Sequence, residues 1–178
     1  MNIKNLLFVF VLVFFSACSS EKENLQEESA SISQSENIHF TLNFLDGKKL
    51  LVKYNDQKFD FNDNSKAKLF VFFTTWCVPC KAQIPHLNNL YKKYQDQLEI
   101  IAVFLEENKD QEILDFIQEN KMAFLATLSE NNLVFSKVLN INSVPTMVLF
   151  NTKGEKVREY LGMIPEEMLD IDIQKVIM

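Results

Sequence analysis

The chain has 178 residues, 47% of them apolar, with 16 Phe against 3 Gly and 4 Pro. That is enough for one domain with a real core plus appendages, and it argues against a collagen-like or loop-dominated chain. A formal net charge of −6, with no basic patch to neutralise phosphates, argues against a nucleic-acid partner.

The first residues stand apart from the fold. Lys4 supplies a positive start, residues 6–15 (LLFVFVLVFF) are unbroken apolar, and Ser16 and Ala17 are small. This is the anatomy of a secretory signal. As a helix the apolar run is about 15 Å long, roughly half a bilayer core, so it is a poor spanning segment. Its end resembles a bacterial lipobox, an apolar residue and two small ones before a Cys, although Phe15 stands where that family usually has Leu. The resemblance implies a lipoprotein signal peptide over residues 1–17 and lipid attachment at Cys18. An ordinary cleaved signal with an incidental Cys, or an uncleaved anchor, stays open. From Cys18 to Asn37 the chain is rich in Ser, Glu, Gln and Asn. Such a segment cannot bury enough surface to offset its ordering entropy and reads as a disordered tether.

The folded domain is expected over residues 38–178. Phe40, Leu42 and Phe44 alternate with polar residues, Asp46-Gly47 turns, and Leu50, Val52 and Tyr54 return: a β-hairpin. Residues 69–73 (LFVFF) read as a strand buried on both faces. A helix is expected from about Cys77 to Tyr94, with Leu87, Leu90, Tyr91 and Tyr94 as its apolar stripe and a kink at Pro85. A strand follows over 98–105, a helix over 110–120, a short strand over 124–127 and a helix over 131–139. Strands at 146–150 and 156–161 flank a turn at 151–154, and Pro165 suits the first turn of a last helix ending near Ile177. Helix-linked strands closed by a terminal hairpin and helix make an α/β sandwich.

The chemistry sits in Trp76-Cys77-Val78-Pro79-Cys80-Lys81, which follows a buried strand and opens a helix. In that context Cys-x-x-Cys reads as a redox motif. Two intervening residues in a first helical turn bring the sulfurs within disulfide range. The helix N-terminus turns unpaired N–H groups toward the first sulfur, so Cys77 is the expected low-pKa nucleophile. Pro79 loses nothing where the helix donor would be orphaned anyway. A purely structural disulfide would close a loop too short to constrain the unfolded chain much. A zinc site would need two further ligands, and Cys18, His39 and His86 are not at ligand spacing. No metal or other cofactor is therefore called for. His86 falls opposite Cys77 on the helix, and His39 lies in the first strand; both read as surface residues.

These residues resemble the thioredoxin superfamily, and within it the TlpA/ResA-like group of exported thiol–disulfide oxidoreductases. Besides the Cys pair, Pro85 matches the proline of the family's active-site helix. Ser143-Val144-Pro145-Thr146, just before a strand, matches its proline loop. The resemblance implies a thioredoxin-like sandwich: a central mixed sheet flanked by helices, with an N-terminal β-hairpin and a TlpA-like αβ insertion. It implies a cis Pro145 facing the disulfide, Val144 offering its backbone to a substrate chain, and Trp76 as an exposed lid that aids docking. Two departures matter. The stretch between the active-site helix and Pro145 is longer than in thioredoxin itself. Val71 also stands where thioredoxin has a buried Asp, so the proton acceptor for Cys80 is open; Glu106 or Glu107 could serve through water, or could be solvated loop charges. Lys81 could steady the thiolate or lie at the surface.

The expected activity is reduction of disulfides in exported proteins, for instance in cytochrome c maturation. Partners would be protein dithiols and disulfides, a membrane or extracytoplasmic electron donor, and the membrane itself through the lipid. The expected location is extracytoplasmic, periplasmic if the cell is Gram-negative. A disulfide-forming oxidase or isomerase stays open, because the motif alone spans about −270 to −120 mV. A thiol peroxidase is a third reading: Thr74 and Cys77 form a Thr-x-x-Cys, but the proline such enzymes carry before the Thr is absent.

Overall fold

The computed structural model describes residues 37–128 and 130–178; the expected signal peptide, Cys18 and the expected tether up to residue 36 lie outside the described residues. The elements in order are β1 (Ile38–Asn43), β2 (Lys49–Asn55), β3 (Lys58–Phe61), β4 (Ala67–Phe73), α1 (Val78–Tyr94), β5 (Leu98–Phe104), α2 (Asp110–Glu119), β6 (Leu125–Thr127), α3 (Asn131–Val138), β7 (Thr146–Phe150), β8 (Lys156–Leu161) and α4 (Glu166–Ile177). They form a five-stranded sheet of order β6-β5-β4-β7-β8 and a three-stranded sheet of order β1-β2-β3. In the larger sheet β4 and β6 run parallel to β5, and β7 runs antiparallel to both its neighbours, β4 and β8. This is the mixed, helix-flanked sheet of a thioredoxin-like sandwich.

The N-terminal hairpin is extended by β3, an element that periodicity does not announce. Its four residues carry only Phe59 and Phe61 as apolar side chains, between Asp56-Gln57 and Asn62. Pairing along β2 and burial of both rings hold it. The helices and remaining strands fall within a residue or two of their expected limits.

Strand period explains how one sheet serves two cores. On β4, Leu69, Val71 and Phe73 face one side, with Ile100, Ala102 and Phe104 of β5; they pack on Ile84, Leu87 and Leu90 of α1, Phe116 of α2 and Leu169 of α4. Phe70 and Phe72 face the other, with Ile101 and Val103 of β5, against the three-stranded sheet and Phe135 of α3. Seven of the 16 phenylalanines lie in this second core, which accounts for their abundance. Lys68, only 1% exposed on the central strand, reaches Glu99 on β5 at 2.7 Å, so the buried charge is paired as burial requires.

The smaller sheet is fastened to the larger at two places. Leu45 N–H donates to Ala126 O and Leu128 N–H to Asn43 O, which covers the open edge of β6. At the other end the β7–β8 turn presses Gly154 on β3. A β-carbon at Gly154 would collide with the Phe59 carbonyl oxygen, and its φ of +76° favours glycine.

Candidate active site

The central strand delivers the site. β4 ends at Phe73, three loop residues follow, and Cys77 is the N-cap of α1, with Val78 and Pro79 as its first residues. The Cys77 N–H donates to Thr74 O at 3.2 Å. Its Sγ accepts the Cys80 N–H at 3.2 Å and is joined to Cys80 Sγ in a disulfide. The first turn of α1 carries no acidic residue, so the partial positive charge of the helix end is not offset there. Cys80 is fully buried and Cys77 3% exposed, whereas Trp76 and Val78 on either side are 70% and 74% exposed. The sulfurs thus lie under an apolar rim that no other part of the described chain covers.

Val144 and Pro145 arrive from the far side of the sheet. Phe72 on β4 pairs with Thr146 on β7, which sets Pro145 beside the end of β4 that leads to Cys77. The Val144–Pro145 bond is cis. Val144 packs against the core that holds both cysteines and also against the second core. Thr146 Oγ1 donates to Ser143 O at 2.8 Å and closes the loop on itself. Pro145 O accepts the Gly162 N–H, also at 2.8 Å. Trp76, Cys77, Cys80, Val144 and Pro145 therefore converge on one end of the sheet.

Other candidates are placed elsewhere. His86 is half-exposed and hydrogen-bonded to Glu166 at 3.3 Å, and His39 is exposed on an edge strand. Lys81 extends its ammonium over the Phe116 ring, 5.5 Å from its centre. α1 runs unbroken through Pro85. Thr74 meets Cys77 through its carbonyl; its Oγ1 is buried without a hydrogen-bond partner.

Two bonding roles escape a reading of the sequence. Glu106, just beyond β5, is no free loop charge: Oε2 accepts the Thr75 N–H at 2.8 Å and Oε1 the Thr75 hydroxyl at 2.6 Å. Its carboxylate holds the segment that enters the Cys pair. Gln83, fully buried on α1, bonds Ile164 in the loop before α4. The signal was present for Gln83, a polar residue three positions after Cys80 and four before Leu87 on an apolar stripe.

Known proteins share this architecture. A family model described as thioredoxin-like matches residues 64–156. The thiol-disulfide oxidoreductase ResA of Bacillus thuringiensis is 27% identical over 180 residues, covering 97% of this chain and 98% of that protein. Sporulation thiol-disulfide oxidoreductase A of Bacillus subtilis is 33% identical over 101 residues, 55% of this chain and 61% of its own. The crystal structure of StoA from Bacillus subtilis superposes with a TM-score of 0.61 at 26% identity, covering 77% of this chain and 97% of that one.

Proposed function

Since the chain belongs to the thioredoxin-like family and is a thiol–disulfide oxidoreductase, we propose that it reduces disulfides of exported proteins outside the cytoplasm, held to a bacterial membrane by a lipid on Cys18. The observation that carries the chemistry is the nearly buried Cys77–Cys80 disulfide at the N-terminus of α1, beneath exposed Trp76 and Val78. The anchor rests on the apolar run, the small Ser16 and Ala17, and Cys18.

In the reduced protein the Cys77 thiolate, favoured by the helix end, attacks one sulfur of a substrate disulfide. A Cys77–substrate bond forms, the substrate disulfide breaks, and the departing sulfur takes a proton. Cys80 then gives up its proton and its thiolate attacks Cys77 Sγ. That forms the intramolecular disulfide and releases the second substrate thiol. Two electrons have moved to the substrate, and an extracytoplasmic or membrane donor must return them. Trp76 and the Val144–Pro145 backbone position the incoming chain. Apocytochromes c, whose cysteines must be free before haem is attached, are one substrate class of this kind.

The test is a trapping experiment in a bacterial host with alkylation quenching. Cys80→Ser should accumulate mixed disulfides between Cys77 and exported proteins, recovered with the membrane fraction, and Cys77→Ser should accumulate none. Cys18→Ala should release a folded protein from that fraction. Trapping through Cys80, or a membrane-bound Cys18→Ala protein, would overturn the corresponding assignment. The direction is read from the potential of the couple: a reductase belongs near thioredoxin's, about −270 mV, and a value near about −120 mV would make the protein an oxidase.

A further inference from the structure

Gln83 is 0% exposed, and a buried primary amide is costly unless its polar atoms are paired. Both are paired, and to the same residue: Nε2 donates to Ile164 O at 3.0 Å and Oε1 accepts the Ile164 N–H at 2.8 Å. The amide thus reads a backbone unit 81 residues away as a strand partner would. Two residues earlier in that loop, Gly162 N–H donates to Pro145 O at 2.8 Å. Gln83 itself sits three residues beyond Cys80 on the helix that carries both sulfurs. Two hydrogen-bonded links, joined by the backbone of residues 162–164, therefore connect the redox helix to the Pro145 turn. Apolar contacts alone would leave this loop free to slide, because packing does not fix register as paired donors and acceptors do.

We infer that Gln83 is a positioning residue: its amide sets the separation between the redox sulfurs and the Val144–Pro145 backbone, and so controls docking of a polypeptide disulfide. The inference rests on the reading above that a polypeptide docks on Val144. The side-chain chemistry is specific. Only a group that donates and accepts at once can bond both Ile164 N–H and Ile164 O. Leucine does neither. A glutamate does both only while protonated, and ionised it sets a negative oxygen against the Ile164 carbonyl. Burial raises the pKa of a carboxyl group, so Gln83→Glu converts the clamp into one that holds at low pH and fails at high pH.

The test follows single-turnover oxidation of the pre-reduced full-length chain by the fluorescence of Trp76, its one tryptophan. One oxidant is a short unstructured peptide closed by a single disulfide, which needs backbone docking. The other is 5,5′-dithiobis(2-nitrobenzoate), which does not. Gln83→Leu should raise the half-saturating peptide concentration about tenfold, the equivalent of losing one to two hydrogen bonds. The limiting rate and the rate with the small disulfide should change far less. In Gln83→Glu the ratio of the peptide rate to the small-disulfide rate should match wild type at acid pH and fall as pH rises. This arm also keeps the test alive if the leucine variant fails to fold. The ratio cancels titration of the cysteines. Two titratable groups on the same pair of helices, His86 of α1 and Glu166 of α4, are bonded to each other at 3.3 Å and are common to both proteins. Equal losses with both oxidants, or a Gln83→Glu ratio with the wild-type pH profile, would overturn the clamp. A wild-type protein that reacts with the small disulfide and not with the peptide would overturn the docking reading beneath it.

Discussion

Thr75 and Glu106 stand 31 residues apart and share two hydrogen bonds of 2.8 and 2.6 Å. Bonds to a carboxylate acceptor are among the stronger ones, and this pair holds Thr75, two residues before Cys77. Glu106→Ala should cost about 1–3 kcal/mol in urea unfolding of the oxidised protein, because the Thr75 N–H and hydroxyl lose their acceptor. Glu106→Gln should cost less: its Oε1 can take the N–H, and its Nε2 can donate to a hydroxyl that turns to accept. A Glu106→Ala midpoint equal to wild type, or Gln as costly as Ala, would show that the carboxylate does not secure this loop. The contrast with the cysteines shows what a sequence exposes at this scale. Cys77 and Cys80 are legible because their chemistry needs only a span of four residues and a helix start. Glu106 and Gln83 act on partners 31 and 81 positions away, so their side chains carry no local mark of whom they meet.

At the scale of elements, the docking of α4 is electrostatic at its edges. Asp170 accepts from Lys93 Nζ at 2.6 Å and Tyr94 OH at 2.7 Å, both on α1. Asp172 accepts from Lys175 at 2.9 Å and from Tyr160 of β8 at 3.0 Å. The Lys93 bond, then that of Tyr94, holds Asp170 below the ordinary carboxylate range. Lys175 does the same for Asp172, against a partial opposing effect of burial. Tyr160 is pushed up, by burial first and then by its bond to Asp172. A carboxylate lowered in the fold stabilises fully above its unfolded pKa, near 3.9, and loses that contribution as pH falls through its folded value. A raised tyrosine contributes fully below its unfolded pKa of about 10 and loses that contribution as pH rises beyond it. The double variant Asp170→Asn, Asp172→Asn should therefore be less stable than wild type at pH 7, and the gap should close as pH drops below about 4. Denaturant titrations across that window decide it; a gap that persists unchanged in acid would mean the carboxylate charges are not what docks the helix. α4 itself was legible from Pro165. β3 was not, because two alternating phenylalanines are too few to separate a strand from a loop until β2 and the second core supply partners.

At the scale of the molecule, the sheet divides labour between its faces. The cysteines belong to the core shared with α1, α2 and α4. The opposite core is a phenylalanine cluster, with Phe135 meeting Phe70 edge-on at 4.7 Å and Phe59 at 6.0 Å, and Phe150 meeting Phe59 at 5.1 Å and Phe61 at 5.3 Å. The N-terminal sheet is thereby bound to the rest by rings in the middle, backbone bonds at β6 and close contact at Gly154. This arrangement separates stability from reactivity. Phe135→Ala should cost about 3–5 kcal/mol, the usual loss for a buried aromatic, which is a large part of the about 5–15 kcal/mol that holds a domain of this kind. Yet the Cys pair lies across the sheet from Phe135 and shares no ring contact with it. At a temperature where the variant remains folded, reduced Phe135→Ala should react with a small disulfide at the wild-type rate. Val144 is the one site residue that packs against both cores, so any loss should appear in docking of a peptide disulfide before it appears in thiol reactivity. A slower reaction of the thiols themselves would show that the second core, and not only the helix end, shapes the chemistry of Cys77.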